Sequence, residues 1–283
     1  MKKLLICALS FGLVVSCTVE DVDNDISSSD DQETFELYKN LDFAMDDFGR
    51  FSERASVELK NANKSSKGSC ISVELLVPYQ EYPINGFSEY EYYNKVVVNS
   101  NESSCRFDDW RGTIEYYVAG ALTGKWKDST VFKNVRGDEG YIFEGYRTAN
   151  LVENLSNEEV QVYDVVIDGL ITEPNGDAYE YTTNRNFVFT DRYTATETLV
   201  LEESSSLKGV SQEFFINSKT VDGNPIVFKR ECFDGFNFLR YPVQGSQDFS
   251  SSFGVNFNVD YGDGTCDKEV TLTSDEGSIT FNL

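Results

Sequence analysis

The chain offers thiols and carboxylates for chemistry but no imidazole. It has six cysteines and 48 Asp and Glu residues among 283, and it has no histidine. Histidine is the commonest general base and the commonest metal ligand. Its absence excludes Ser-His-Asp catalysis, Cys-His catalysis and zinc sites that use histidine. Carboxylate chemistry and the individual cysteines remain.

Cys17 follows a segment with the pattern of an export signal. Two lysines form a basic head, 4–15 is an apolar run without charge, and 14–17 reads Val-Val-Ser-Cys. Signal peptides have such a head and an apolar core of about 7–15 residues. A membrane-spanning helix needs about 20 apolar residues, which is longer than this run. The sequence therefore predicts export, with 1–16 as signal peptide; a soluble secreted protein is the alternative to a chain modified at Cys17.

Four cysteines remain once the signal-peptide cysteine and Cys17 are set aside: Cys70, Cys105, Cys232 and Cys266. An even number in an exported chain predicts disulfides, and three connectivities are open. The spacing favours Cys70–Cys105 and Cys232–Cys266, each of which contributes about 3–4 kcal/mol in the chain-entropy account. A zinc site built from all four is the alternative, although no pair has the C-x-x-C spacing.

Three carboxylates lie close together in the run Y-G-D-G-T-C-D and the residue before it. Asp260, Asp263 and Asp267 are separated by glycines, and Ca²⁺ prefers oxygen ligands, so they form a weak calcium candidate although the EF-hand pattern fails. Asp-Gly is also a strong turn signal, and a Cys232–Cys266 bond would fix such a turn. No other metal or cofactor is predicted.

A glycan hydrolase that uses only carboxylates is the catalytic alternative. Such enzymes place two carboxylates about 5–10 Å apart and raise the pKa of one, but nothing distinguishes Glu115, Glu144 or Asp168 from the other acidic residues. Aromatic side chains offer a sugar-binding platform or, alternatively, part of a core. These aromatic residues are Tyr92, Tyr93, Trp110, Tyr116, Tyr117 and Trp126.

The charge balance bears on the partners. The formal net charge is −24, and such a surface repels phosphates, so a nucleic-acid partner is not predicted. It favours solubility and attraction to cations.

The elements that position these residues change along the chain. The segment 17–33 is acidic and Ser-rich, and it predicts a disordered tether because it cannot bury enough apolar surface. Over 34–62, apolar residues recur at three- and four-residue steps, which predicts a helical segment with Thr34 as N-cap. A β-rich domain is expected over 70–283, with a subdivision near 105–111 left open.

Apolar and polar residues alternate with period two from Cys70 onward, as in half-buried strands. The candidate strands are 71–75, 95–98, 111–116, 130–135, 141–152, 159–172, 178–190, 197–202, 212–220, 226–232, 255–261, 269–273 and 278–283. Turn signals rather than helices separate them, including one at 222–225, so the sheet should be antiparallel. The predicted fold is all-β: a curved antiparallel sheet closing toward a sandwich or partial barrel, with a short N-terminal helical segment.

Several motifs, in this order, resemble those of surface lipoproteins of the Bacteroidota. They are the lipobox VVSC at 14–17, RGTI-x-x-Y at 111–117, GKWKDS at 124–129, FEGYRT at 143–148, KREC at 229–232 and YGDGTCD at 261–267. The acidic residues after Cys17 resemble the export tags of such proteins; a plain spacer is the alternative.

The resemblance implies that Cys17 becomes the acylated first residue of the mature chain. Stable anchoring takes more than one acyl chain, since each buried methylene contributes about 0.8 kcal/mol. The expected location is the outer membrane, lipid-anchored and exposed at the cell surface. The expected partners are the membrane, through the acyl chains, and a glycan or protein ligand. The resemblance carries no catalytic residue, and a non-catalytic protein is expected.

Overall fold

The computed structural model of the protein describes the following residues: 31–45, 48, 71–76, 93–99, 111–119, 127–137, 139–152, 155–157, 159–192, 194–211, 213–233, 239, 241–252 and 254–283. The predicted signal peptide, Cys17, Cys70 and Cys105 lie outside these residues, so the predictions made for them stay predictions.

The described residues contain fourteen strands. They are β1 Ile71–Leu76, β2 Tyr93–Asn99, β3 Arg111–Ala119, β4 Lys127–Arg136, β5 Ile142–Leu151, β6 Val160–Thr172, β7 Ala178–Thr190, β8 Thr198–Gly209, β9 Phe215–Thr220, β10 Ile226–Lys229, β11 Gln244–Ser251, β12 Asn256–Asp263, β13 Glu269–Ser274 and β14 Gly277–Asn282. A helix, α1, spans 31–45, and residue 48 is also helical. A 3₁₀ turn covers Arg230–Cys232.

The strands form one antiparallel sheet in which nearly every strand pairs with its neighbours in sequence. Short connections between antiparallel strands produce such a meander. The sheet is strongly curved. The prediction of an all-β fold with a curved antiparallel sheet and a short N-terminal helix is thus confirmed.

Helix α1 lies against the inner face of this sheet. Phe35, Tyr38, Leu41 and Met45 are all buried, which confirms the helical periodicity seen in the sequence. Residues 31–33 are helical as well, so the helix begins before Thr34 and extends into the segment assigned to the tether.

Aromatic contacts show which strands of the sheet pack against the helical segment. The Phe35 ring lies 5.7 Å from Phe249 on β11 and 6.0 Å from Phe281 on β14. The Phe48 ring lies 6.1 Å from Phe132 on β4 and 5.4 Å from Phe143 on β5. One helical segment therefore contacts strands that are far apart in the sheet order, and it fills the concave side.

Strand β11 was absent from the sequence prediction. Its sequence, QGSQDFSS, is rich in residues with low strand propensity. It pairs with β9 and β10 on one side and with β12 on the other, and Phe249 is buried on the inner face. Tertiary pairing overrides local propensity here. Strand β8 likewise continues through 203–209, beyond the predicted end at 202.

The turn signal at 222–225 does not reverse the chain. Strands β9 and β10 both pair antiparallel with β8, so they lie end to end at one position in the sheet. Lys219 pairs with Ser204 and Ile226 pairs with Leu201, which leaves the six residues 220–225 opposite only two residues of β8. This segment is a wide bulge in a single strand position, and we call it the central bulge.

Candidate functional site

The three carboxylates of the predicted calcium candidate each cap a local turn. One oxygen of Asp260, Asp263 and Asp267 accepts a hydrogen bond from the backbone N–H two residues further on, at 2.9, 3.2 and 3.2 Å. Such bonds are typical of Asx turns. Within the described residues, no group of three or more His, Cys, Asp or Glu side chains is placed to hold a metal ion. The geometry favours the turn, and calcium binding stays a prediction.

The predicted Cys232–Cys266 disulfide is confirmed. Its Cα atoms lie 4.9 Å apart, and the bond joins the 3₁₀ turn after β10 to the connection between β12 and β13. Lys229 reinforces this link because its Nζ donates to the carbonyl oxygen of Gly264 at 2.8 Å.

The carboxylates and aromatics named above do not converge on one place. Glu115 forms an ion pair with Lys133 at 2.8 Å, and Asp168 accepts a hydrogen bond from Tyr146 at 3.4 Å. Tyr116 and Tyr117 are both buried and so cannot offer a sugar-binding platform. Glu144 is exposed on β5. Tyr92, Trp110 and Trp126 lie outside the described residues.

A polar cluster that the sequence did not indicate lies between α1 and the sheet. Arg185 on β7 binds Asp42 of the helix, and its Nε lies 3.0 Å from Glu203 Oε2 on β8. This second contact is an ion pair rather than a directed hydrogen bond. The Arg185 and Glu203 side chains are only 2% and 3% exposed, so the charges compensate each other inside the protein.

Tyrosine hydroxyls complete this cluster. Tyr38 donates to Glu203 Oε1 at 3.1 Å and accepts from Ser218 at 2.8 Å, while Tyr181 donates to Asp42 Oδ1 at 2.5 Å. Burial, and secondarily the nearby carboxylates, raise the pKa of Tyr38, Tyr181 and Tyr261 well above the usual value. All three hydroxyls are therefore protonated and available as donors.

The cluster has almost no room for a ligand. The adjoining cavity has a volume of about 40 Å³, which suits about one water molecule. Hence the cluster joins the helix to the sheet, and it is not a site that admits a sugar.

A much larger concavity lies on the outer face of the sheet, and we call it the outer groove. Its main part has a volume of about 720 Å³ and opens to solvent. Side chains alternate between faces along each strand, so the outward residues line the groove while Thr183, Ser205 and Ser218 point toward the helix and are buried.

The lining residues form two rows that run across the strands in register. Both rows consist mainly of amide and hydroxyl side chains. The first row is Thr182, Ser206, Asn217, Ser250 and Asn256. The second row is Asn184, Ser204, Lys219, Asp248, Asn258 and Thr273.

The central bulge lines a second part of the groove, with a volume of about 620 Å³. The two parts share Asn184, Ser204 and Lys219 in their linings. Lys219 Nζ donates to Asp222 of the bulge at 2.9 Å, so the bulge is tied to the second row. Asp222 is 89% exposed.

Phe215 adds an apolar surface beside the middle of the first row. It lies two residues before Asn217 on β9, on the same face, and it is 40% exposed. The rows therefore offer hydrogen-bond donors and acceptors held on paired strands, next to an exposed ring.

The two rows of the outer groove could not be predicted from the sequence, because β11, which crosses the middle of the groove, was not predicted. The available signal was the alternation within β9, where Phe215, Asn217 and Lys219 are exposed while Ile216 and Ser218 are buried.

Comparisons with protein families, curated proteins and solved structures gave no match. In the part of the chain that the structure describes, no helix is long and apolar enough to cross a membrane.

Proposed function

We propose that this protein is a non-catalytic, lipid-anchored protein of the outer membrane that binds glycan at the cell surface through its outer groove. The observation that carries the proposal is the pair of in-register rows of amide and hydroxyl side chains across β7 to β13. Anchoring through acyl chains on Cys17 rests on the lipobox at 14–17.

The chemistry of the rows suits sugar hydroxyls. Asn offers two donors and two acceptor positions, and Ser and Thr hydroxyls both donate and accept, so the rows can pair with hydroxyl groups of either polarity. Their backbones are fixed by ladders on both sides, which reduces the conformational entropy lost on binding. Such a surface binds a polyhydroxylated chain better than a flat apolar partner.

The environment of the buried carboxylates supports a protein that binds glycan without hydrolysing it. Two of the buried carboxylates, Glu197 and Glu203, are both ion-paired with arginine, and Glu203 lies in the polar cluster under the helix. A hydrolase needs two carboxylates on either side of a bound glycosidic linkage.

A glycan array tests the binding proposal. The chain carrying Cys17→Ser, expressed without its signal peptide, should bind one glycan class saturably. The double variant Asn217→Ala with Asn258→Ala should weaken that binding about tenfold or more, since each lost hydrogen bond contributes about 0.5–1.5 kcal/mol. Thr271→Ala, on β13 but outside the groove lining, is the matched control.

Failure to bind any glycan would overturn the proposal. Release of shortened oligosaccharides, lost when one acidic pair is replaced, would instead support the hydrolase. Anchoring is tested separately: intact-mass analysis of the mature protein should show a diacyl- or triacyl-modified Cys17 at the N-terminus, and an unmodified Cys17 would refute it.

A further inference from the structure

We propose that the outer groove selects neutral glycans and rejects anionic ones, with the glycan chain lying across the strands. This inference rests on the proposed function and names the ligand class of the same site. It is carried by the charges that line the groove and by the pairing of Lys219 with the central bulge.

Acidic side chains dominate the charge of the groove. Among its described lining residues, Lys219 is the cationic side chain outside the buried cluster. The carboxylates outside that cluster are Asp164, Glu202, Asp222, Asp248 and Asp275. One ammonium thus stands against five carboxylates, and the groove repels uronates and sulfated sugars, because like charges that are brought together cost free energy.

Lys219 is not available to offset this repulsion. Its ammonium group donates to Asp222 Oδ1 at 2.9 Å, and it pairs across the ladder with Asp248 on β11. The pKa of Lys219 is raised and that of Asp222 is lowered by their mutual hydrogen bond and charges. Both groups therefore stay charged and paired around neutrality, and an anionic ligand would have to displace a carboxylate held by the protein.

The remaining lining groups suit an uncharged polyol. Two of the amides already bind carboxylates: Asn258 donates to Asp248 at 2.8 Å, and Asn186 donates to Asp164 at 2.9 Å. These bonds turn each carboxylate toward a neighbouring amide and leave its other lone pairs as acceptors. Sugar hydroxyls can donate to such acceptors, whereas the oxygens of a carboxylate or sulfate ligand cannot.

The direction of the rows sets the direction of the ligand. Adjacent strands are about 4.8 Å apart, so the first row, which crosses five strand positions, is about 19 Å long. One strand spacing is close to the repeat of one pyranose ring in an extended glycan. A linear chain laid along the row therefore places about one ring over each strand, with the exposed Phe215 ring on β9 beside the middle of that chain.

Calorimetry with matched oligosaccharides tests the selectivity. The probes are cellohexaose and mannohexaose, each compared with the chain of the same length oxidised to uronate at C6. At about 50 mM salt the neutral member of the bound pair should bind about tenfold tighter or more, and the ratio should shrink toward one at about 500 mM salt, because salt screens exposed charges.

Variants show whether the groove carboxylates cause the discrimination. Asp222→Asn combined with Asp248→Asn should reduce the neutral-to-anionic ratio by about tenfold at low salt and leave the melting temperature nearly unchanged. Glu139→Gln, an exposed acidic residue in the β4–β5 turn, should leave the ratio as it is.

Equal or tighter binding of the uronate chains, or a ratio that the double variant does not change, would refute the selectivity but leave glycan binding intact. If none of the four probes binds and the array is also silent, the proposed function and this inference both fail.

Discussion

Arg185 on β7 and Glu203 on β8 form an ion pair, with 3.0 Å between Nε and Oε2, beneath helix α1. The same guanidinium binds Asp42 on α1. One side chain therefore connects the helix to two adjacent strands. Because α1 follows the predicted tether directly, this cluster is where the N-terminal helix is held against the sheet.

Removing the guanidinium should destabilise the protein strongly. Arg185→Ala leaves the buried carboxylate of Glu203 without its ion pair, and breaking such a buried pair costs about 3–5 kcal/mol. We expect a loss of this size in the free energy of unfolding, measured by urea denaturation. Lys208→Ala is the control, because Lys208 and Glu180 form an exposed pair at 3.5 Å, and such pairs contribute less than about 1 kcal/mol. Equal effects of the two substitutions would contradict the role of the cluster.

The buried tyrosines predict a loss of stability at alkaline pH. Burial raises the pKa of Tyr38, Tyr181 and Tyr261 above the value of about 10 in the unfolded chain. The unfolded state releases these protons first, so their contribution is fully present below about pH 10 and is lost as the pH rises toward the folded pKa.

Urea denaturation between about pH 8 and about pH 11 measures this effect, with tyrosinate absorbance followed in parallel. The free energy of unfolding should decrease above about pH 10, and Tyr38→Phe should make that decrease shallower. Tyr146→Phe, at a more exposed hydroxyl, should change the slope less than Tyr38→Phe does. Ionisation of all sixteen tyrosines before any unfolding would disprove the assignment.

The backbones of β5 and β6 approach closely at two facing glycines. Gly145 pairs with Gly169, and a methyl group on Gly145 would lie 2.3 Å from the carbonyl oxygen of Asp168 and 2.9 Å from the Phe143 ring. Gly145→Ala should therefore lower the free energy of unfolding by about 1–3 kcal/mol, as overpacking does. At Gly137 the nearest atom to such a methyl group is 3.7 Å away, on Phe48, so Gly137→Ala should be nearly neutral. If Gly145→Ala left the free energy of unfolding unchanged, the prediction would be wrong, and β5 and β6 would be able to separate there without cost.

Much of the fold could be predicted from the sequence because its local patterns and its tertiary structure agree. The three- and four-residue spacing of Phe35, Tyr38, Leu41 and Met45 corresponds to the buried face of α1. The alternation in β7, where Tyr179, Tyr181 and Thr183 point inward, corresponds to the observed burial pattern. Similar sequence separations, together with the predicted export, were sufficient to favour Cys232–Cys266.

The candidate site could not be predicted because it depends on register between distant strands. Ser206, Asn217 and Ser250 lie on three strands, and they become neighbours only through pairings that no local pattern specifies. The segment around Gly223 reads as a reversing turn, but β8 and β11 hold the chain on both sides and convert it into a bulge. The buried ion pair of Arg185 and Glu203 could not be predicted from the sequence either. A charged residue in a strand ordinarily lies on the solvent-exposed face of the sheet.

The disulfide between Cys232 and Cys266 should contribute substantially to stability. It closes a loop with a sequence separation of 34 residues, for which the chain-entropy account gives about 4 kcal/mol. The double variant Cys232→Ser with Cys266→Ser should therefore lower the melting temperature by several degrees, measured by calorimetry without reductant. Dithiothreitol should lower the melting temperature of the parent protein by more than that of the variant, in which the predicted Cys70–Cys105 bond is the disulfide left to reduce. Since Lys229 also bonds to Gly264, the connection should keep its geometry in the variant, and the proposed glycan binding at the outer groove should be retained. A variant as stable as the parent protein would contradict this contribution of the disulfide to stability.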